Sequence, residues 1–206
     1  MRLDTERKYM SVNVLKYIPN DKREGRIGDW IQVYSGKVFF PLDPRADEVD
    51  IEDIAHSLSL KCRYSGHCRD FYSVAEHSVL VSHEVSEENA LWALLHDAAE
   101  AYSSDIPRPL KHCLPDWKIM EDKIMLSICE KFDLPDKEPV EVKNIDLAIT
   151  SDERLAIMNP CIWDWGKLPS PLGVKIRCLV PKEAERVFMK RFEYLMSIKK
   201  IHGIHI

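Results

Sequence analysis

From about residue 50 to residue 158, apolar side chains recur at three- and four-residue intervals, the spacing that lays one buried stripe along a helix. The pattern predicts helices over 50–61, 73–85, 87–103, 106–113, 116–132 and 139–158. Prolines punctuate it: Pro107 and Pro109 interrupt after Asp105, Pro115 precedes a new helix, and Pro135 with Pro139 separates the next pair. The acidic stretch from Asp47 to Asp53 suits the positive end of the backbone dipole at the first of these helices, whose buried face is marked by Ile51, Ile54, Ala55 and Leu58.

Outside this region the pattern changes. Residues 1–28 are polar and aperiodic, which predicts a loosely held arm. Two β-rich runs between Asp29 and Pro41 flank Ser35-Gly36 and predict a hairpin over 29–42. The segment 159–181 carries Pro160, Pro169, Pro171, Gly166 and Gly173 and reads as a loop, packed on the body by Trp163 and Trp165. A last amphipathic helix runs from Pro181 to about Lys200, with Val187, Phe188, Phe192, Leu195 and Met196 available to the core or to an interface. The expected architecture is all-α, a helical core over 50–158 with a short N-terminal hairpin, in a single domain over 29–206.

Composition keeps this reading within the ordinary globular range, at 45% hydrophobic and 31% charged residues. A net charge of -5 and a pI near 5.9 give no general attraction for polymeric nucleic acid or an anionic membrane. No apolar run approaches a bilayer span and the first residues are too charged for a signal peptide, so the chain is read as cytoplasmic. Its six cysteines form no C-x-x-C pair and are read as reduced thiols, with Cys113 and Cys129 as small buried hydrophobes on helices.

Chemistry enters at Ala90-Leu91-Trp92-Ala93-Leu94-Leu95-His96-Asp97, where six apolar residues lead an imidazole and a carboxylate into the interior. Burying such a pair is costly unless something compensates it, and a metal ion bonded to both does so. His77 within Val74-Ala75-Glu76-His77-Ser78-Val79 and Asp146 within Asn144-Ile145-Asp146-Leu147-Ala148 are each out of place in an apolar helical stretch. Alone, His77 also reads as a core histidine bonded to a carbonyl, and Asp146 as a cap or ion-pair partner. Glu100, four residues after His96, is expected one turn on along the same helix face. Asp105 reads either as a site residue or as the cap of a helix beginning near Ile106.

In this order His77, His96-Asp97 and Asp146 resemble the HD-domain phosphohydrolases, named for their His-Asp pair. The resemblance runs from about Trp30 to Met158. It is carried also by Cys62-Arg63-Tyr64-Ser65-Gly66-His67, by Tyr72-Ser73-Val74-Ala75-Glu76-His77-Ser78, and by His96-Asp97-Ala98-Ala99-Glu100 followed by Asp105-Ile106-Pro107-Arg108-Pro109-Leu110-Lys111. It is nearest to the branch of bacterial 5'-deoxynucleotidases and phage-type deoxynucleoside triphosphohydrolases, including those acting on dATP.

The resemblance implies an HD-domain helical bundle and a divalent metal on His77, His96, Asp97 and Asp146: manganese, cobalt, iron or zinc, with magnesium less suited to the imidazoles. It implies that Glu100 positions a water or passes a proton, that Asp105 is catalytic or orienting, and that Arg63 and Lys111 meet phosphate. Tyr64 and His67 join the substrate side. Deoxynucleotidases of this branch carry tryptophan where this chain has Tyr64, which leaves base preference and phosphate number open. The expected substrate is a small deoxynucleotide, and the expected assembly a homo-oligomer. The alternatives are a cyclic-nucleotide or alarmone hydrolase, or a nucleotide-sensing module without turnover.

Overall fold

A two-stranded antiparallel hairpin opens the structure, a computed structural model that describes residues 25–202. Most of the arm predicted over 1–28 lies outside the described residues. The hairpin pairs β1 (Ile31–Gln32) with β2 (Val38–Phe39), Ile31 facing Phe39. Its turn closes through Val33 N–H to Lys37 O and Gly36 N–H to Val33 O, each at 3.0 Å, with Gly36 at φ 83°, a conformation that glycine adopts without steric cost. Just before it, the guanidinium of Arg26 donates to Asp43 and Glu48.

Among the described residues eight α-helices follow: α1 (Ile51–Leu60), α2 (Val74–Glu84), α3 (Ala90–Leu95), α4 (Glu100–Ser103), α5 (Arg108–Lys111), α6 (Pro115–Phe132), α7 (Val140–Ile157) and α8 (Pro181–His202). Asp50 caps α1 by accepting from Glu52 N–H, and Ser73 caps α2 by accepting from Glu76 N–H. Asp133, left-handed at φ 51°, ends α6. The described part is thus mostly helical, and none of its helices is long and apolar enough to cross a membrane.

The core is one cluster in which Ile54 and Leu58 of α1, Val74 and Val81 of α2, Leu94 and Leu95 of α3, Ile128 of α6 and Phe188 of α8 are all closed to solvent. Full burial of such side chains stabilises by about 1.5–3 kcal/mol each before entropy is counted. α8 lies on α1, α2 and α3, so Ala184, Phe188, Phe192 and Leu195 belong to the core, while α2 packs on both α3 and α7. The two contacts of α2 decide what can meet across it.

Several elements differ from the expectation. The helix predicted over 87–103 is divided into a 3-10 turn at Glu87–Asn89, α3, hydrogen-bonded turns over 96–99, and α4. No proline or glycine marks the break; the ladder tightens to three-residue bonds such as Ala98 N–H to Leu95 O and Glu100 N–H to Asp97 O. The helix predicted over 106–113 shrinks to the four residues of α5, whose start is set by Pro107, which disfavours helical backbone at Ile106. Cys113 is consequently off the helix and exposed, whereas Cys129 is buried as expected, and no cysteine is in a disulfide. Trp163 is also exposed, at 77%, so it does not pack the 159–181 loop on the body. That loop is held instead by carboxylates: Asp152 accepts from Leu172 and Gly173 N–H, and Glu76 from Arg177 and Leu179 N–H.

Candidate metal centre

α2, the turn after α3, and α7 each deliver polar atoms to one point. His77 is closed to solvent in the middle of α2, and its Nε2 lies 3.3 Å from Nε2 of His96 and 3.1 Å from Oδ1 of Asp146. The Nε2 of His96 lies 3.2 Å from Oδ2 of Asp97. Asp97 stands further from His77, at 3.9 Å, so His77, His96 and Asp146 form the tightest group, with all three ligand atoms within 4.8 Å of one another. The tightened turn after Leu95 is what brings His96 and the adjacent Asp97 to the same place.

The far sides of both imidazoles fix their protons. Nδ1 of His96 lies 2.7 Å from the carbonyl of Ala93, which can only accept, so this nitrogen carries hydrogen. Nδ1 of His77 lies 2.7 Å from Oε1 of Glu153. Burial alone would raise the Glu153 carboxyl, but the Arg63 guanidinium, His77 and the Tyr64 hydroxyl hold it down to about 2. Glu153 is therefore a carboxylate, and Nδ1 of His77 donates to it. With both Nδ1 hydrogens so committed, the two Nε2 atoms face each other and two carboxylates, an arrangement that calls for a positive charge at that point, a proton or a metal.

The electrostatics carry the same demand. Burial pulls the His96 imidazole down, yet Asp97 and Asp146 push it up to about 10, so the pocket favours a cation strongly, whether proton or metal. The spacing suits a metal. Ligand bonds of about 2.1 Å give neighbouring donor atoms separations of about 3.0 Å in an octahedron and about 3.4 Å in a tetrahedron. The separations of 3.1, 3.2 and 3.3 Å fall between those limits, while the 3.9 Å from His77 to Asp97 lies outside them. His77, His96 and Asp146, with Asp97 beside them, could hold a borderline divalent ion, and both rings are oriented from behind.

Arg63 lies beside this group. Residues 61–63 are clamped to the start of α2 through Arg63 N–H to Tyr72 O at 2.9 Å and Val74 N–H to Lys61 O at 3.0 Å. The guanidinium sends Nη2 to Glu153 Oε2 at 3.1 Å and Nη1 to Asp97 Oδ2 at 3.5 Å, while Nε is buried with no partner. Tyr64, in the left-handed region at φ 54°, donates its hydroxyl to the same Glu153 oxygen and sets its ring 5.8 Å from that of Trp165. The left-handed backbone at Tyr64 and at Ser65, φ 52°, costs of order 1–3 kcal/mol per residue and is held in place by these contacts.

The remaining candidates are placed differently. Glu100 is buried, with Oε1 accepting from Lys111 at 3.0 Å and Oε2 without a partner, and it sits past the turn rather than one helical turn along a continuous face. Burial, with Asp97 and Asp105 nearby, pushes its carboxyl well above the usual range against the pull of Lys111. Lys111 is shared between Glu100 and Glu121, the latter at 2.8 Å, so its charge is already matched inside the protein. Asp105 does not cap a helix, since α5 begins at Arg108 behind Pro107; it is half-buried and raised by burial, with Arg63 and Asp97 among its electrostatic neighbours. His67 is exposed, and no described side-chain contact brings it to the group. Glu153 was not among the candidates; it stands seven residues after Asp146, two turns along one face of α7.

No protein-family model matches the chain. It is similar to the uncharacterized protein YfdR of Escherichia coli (strain K12), 42% identical over 174 residues that cover 83% of this chain and 98% of that protein. It is also similar to an uncharacterized protein of Rhodobacter capsulatus, 32% identical over 188 residues covering 81% of this chain and 95% of the relative. Identity of that level over nearly the whole of both relatives leaves one conclusion about descent: the chain belongs to the family of YfdR.

Proposed function

We propose that this protein is a metal-dependent phosphohydrolase of small deoxynucleotides built on an HD-domain bundle, cleaving a 5'-monophosphate or releasing triphosphate from a dNTP. The observation that carries the reading is the convergence of His77 Nε2, His96 Nε2 and Asp146 Oδ1, with Asp97 adjoining, in a pocket whose charge calls for a cation. The ordered resemblance of these residues and of Arg63 to the HD-domain hydrolases supplies the substrate class. His77, His96, Asp97 and Asp146 would hold a manganese, cobalt, iron or zinc ion, which would make a water more acidic and offset phosphate charge.

The chain's own residues do the rest. Arg63 has its Nε free of partners in the buried interior and turns fixed positive charge toward the side of Asp97, where a phosphate would be met. Glu100, raised by burial and half-satisfied by Lys111, is suited to hold and pass a proton at Oε2, which has no other bond. Lys111 acts here by setting Glu100 rather than by meeting phosphate. Asp105, near Arg63, helps orient the substrate side.

The test is a panel of dNMPs, dNTPs, cyclic nucleotides and alarmones with each candidate ion, with products resolved as phosphate, pyrophosphate or triphosphate. Turnover of a deoxynucleotide is expected, and Asp97→Ala should lose both bound metal and turnover. Full activity in Asp97→Ala would remove the mechanism. Tight metal-dependent nucleotide binding without product would make the protein a sensing module instead.

A further inference from the structure

Glu153 is the most buried carboxylate of the site and the least expected. It is closed to solvent on α7, where an ionised carboxylate is tolerated only if its oxygens are well matched. Both oxygens are matched, and by different parts of the site. Oε1 takes the Nδ1 hydrogen of His77 at 2.7 Å, and Oε2 takes Nη2 of Arg63 at 3.1 Å together with the Tyr64 hydroxyl. Behind one oxygen lies a metal-ligand candidate; behind the other lies the arm that faces substrate.

We infer that Glu153 is a positioning residue that joins the two halves of the site, fixing the His77 ring with Nε2 toward His96 and Asp146 while holding Arg63 and Tyr64 in register with it. The inference rests on reading the His77 group as a metal centre. Three features argue for positioning over plain packing. The His77 ring has one hydrogen on the Glu153 side and one lone pair on the other, so rotation about its Cβ–Cγ bond away from Glu153 would carry Nε2 out of the group. The segment carrying Arg63 and Tyr64 has left-handed backbone at Tyr64 and Ser65, so it relies on side-chain anchors to keep its shape. Asp146 and Glu153 share one face of one helix, so an ion ligand and the carboxylate behind His77 move as a unit.

The test uses the full chain, Co2+ as the metal probe and inorganic phosphate as the anion probe. In Glu153→Gln one donor–acceptor pair is reversed, so His77 and Arg63 cannot both be held. The affinity for Co2+ should fall about 10- to 100-fold, the range seen when a group behind a metal-bound histidine is lost. The visible spectrum of bound Co2+ should change, and phosphate binding to the Co2+ form should weaken as well. Arg63→Ala should weaken phosphate binding yet leave Co2+ affinity undiminished, because it removes a positive charge beside the ion while Glu153 still holds His77. Should Glu153→Gln fail to fold, Glu153→Asp keeps the charge but is one methylene short of spanning both partners, and the same losses are expected. Wild-type protein that binds no Co2+ would sink the metal-centre reading and this inference with it. Wild-type binding retained at full strength and with the same spectrum in the folded Glu153 variant would sink the inference alone, as would an equal loss of Co2+ in Arg63→Ala.

Discussion

Nε2 of His77 and Nε2 of His96 face each other across 3.3 Å although each ring already has its hydrogen committed on the opposite side, to Glu153 and to the Ala93 carbonyl. Two ring nitrogens at that distance need a positive charge between them, a proton or a metal ion, and two carboxylates enclose the same point. If that charge is a metal ion, as proposed, the unfolded chain has no means to gather it, and binding is coupled to stability.

Thermal unfolding should register this coupling. At a free Mn2+ or Co2+ concentration 100 times the dissociation constant, the folded state gains about 2.7 kcal/mol. For a chain of this size that is a rise in Tm of about 5–11 °C, reversed by a chelator. His96→Ala should unfold at the same temperature with and without the ion in a calorimetric scan.

The cap of α1 gives a second outcome, with a pH signature. Asp50 accepts from Glu52 N–H at 3.1 Å and from Lys37 Nζ at 2.7 Å, so Asp50→Ala should cost about 1 kcal/mol through the lost cap. Lys37 lowers the Asp50 carboxyl below its ordinary 3.8, with burial opposing and the Glu52 N–H adding to the effect. A carboxyl lowered by folding stabilises above its unfolded value and loses that contribution as pH falls through the folded one. The difference in urea midpoint between wild type and variant should be full at pH 7 and narrow as pH falls below 3.8 and through the lower folded value; a gap of constant size would contradict the assignment.

Glu76 ties the 159–181 loop to the helix that carries His77, accepting from Arg177 and Leu179 N–H at 2.7 Å each. In Glu76→Gln one of those donors faces an amide nitrogen, an uncompensated buried group costing about 1–3 kcal/mol. Amide exchange should quicken at Arg177 and Leu179 and stay slow in the middle of α6. Unchanged exchange at both positions would mean that the loop is held by other contacts.

Phe188 tests whether α8 is core. It is closed to solvent against α1, α2 and α3, so Phe188→Ala should cost about 3–5 kcal/mol, while Lys190→Ala on the exposed face should stay within about 0.5 kcal/mol. Equal effects would place α8 outside the core.

The helical plan was legible because apolar periodicity and proline are local signals, and α1, α2, α6, α7 and α8 follow them closely. The break after Leu95 was not: alternation of apolar residues continues through Ala98 and Ala99, and only the geometry needed to bring His96 and Asp97 to one point tightens the turn. His77, His96, Asp97 and Asp146 stood out as polar residues in apolar runs. Glu153 did not, because Ser151-Asp152-Glu153-Arg154 has the look of a solvated face, and yet both acidic residues are buried, one bound to loop amides and the other to His77 and Arg63. Its seven-residue offset from Asp146 was the one local clue. Trp163 and Trp165 were indistinguishable by sequence, and it is the Trp165 ring that meets other side chains, Tyr64 and Arg154.

The most direct measurement is anomalous diffraction from crystals of the protein grown with Mn2+ or Co2+. A single strong peak is expected about 2.0–2.2 Å from Nε2 of His77, Nε2 of His96 and a carboxylate oxygen of Asp146. An ion bound elsewhere, or none at that point at saturating metal, would contradict the account.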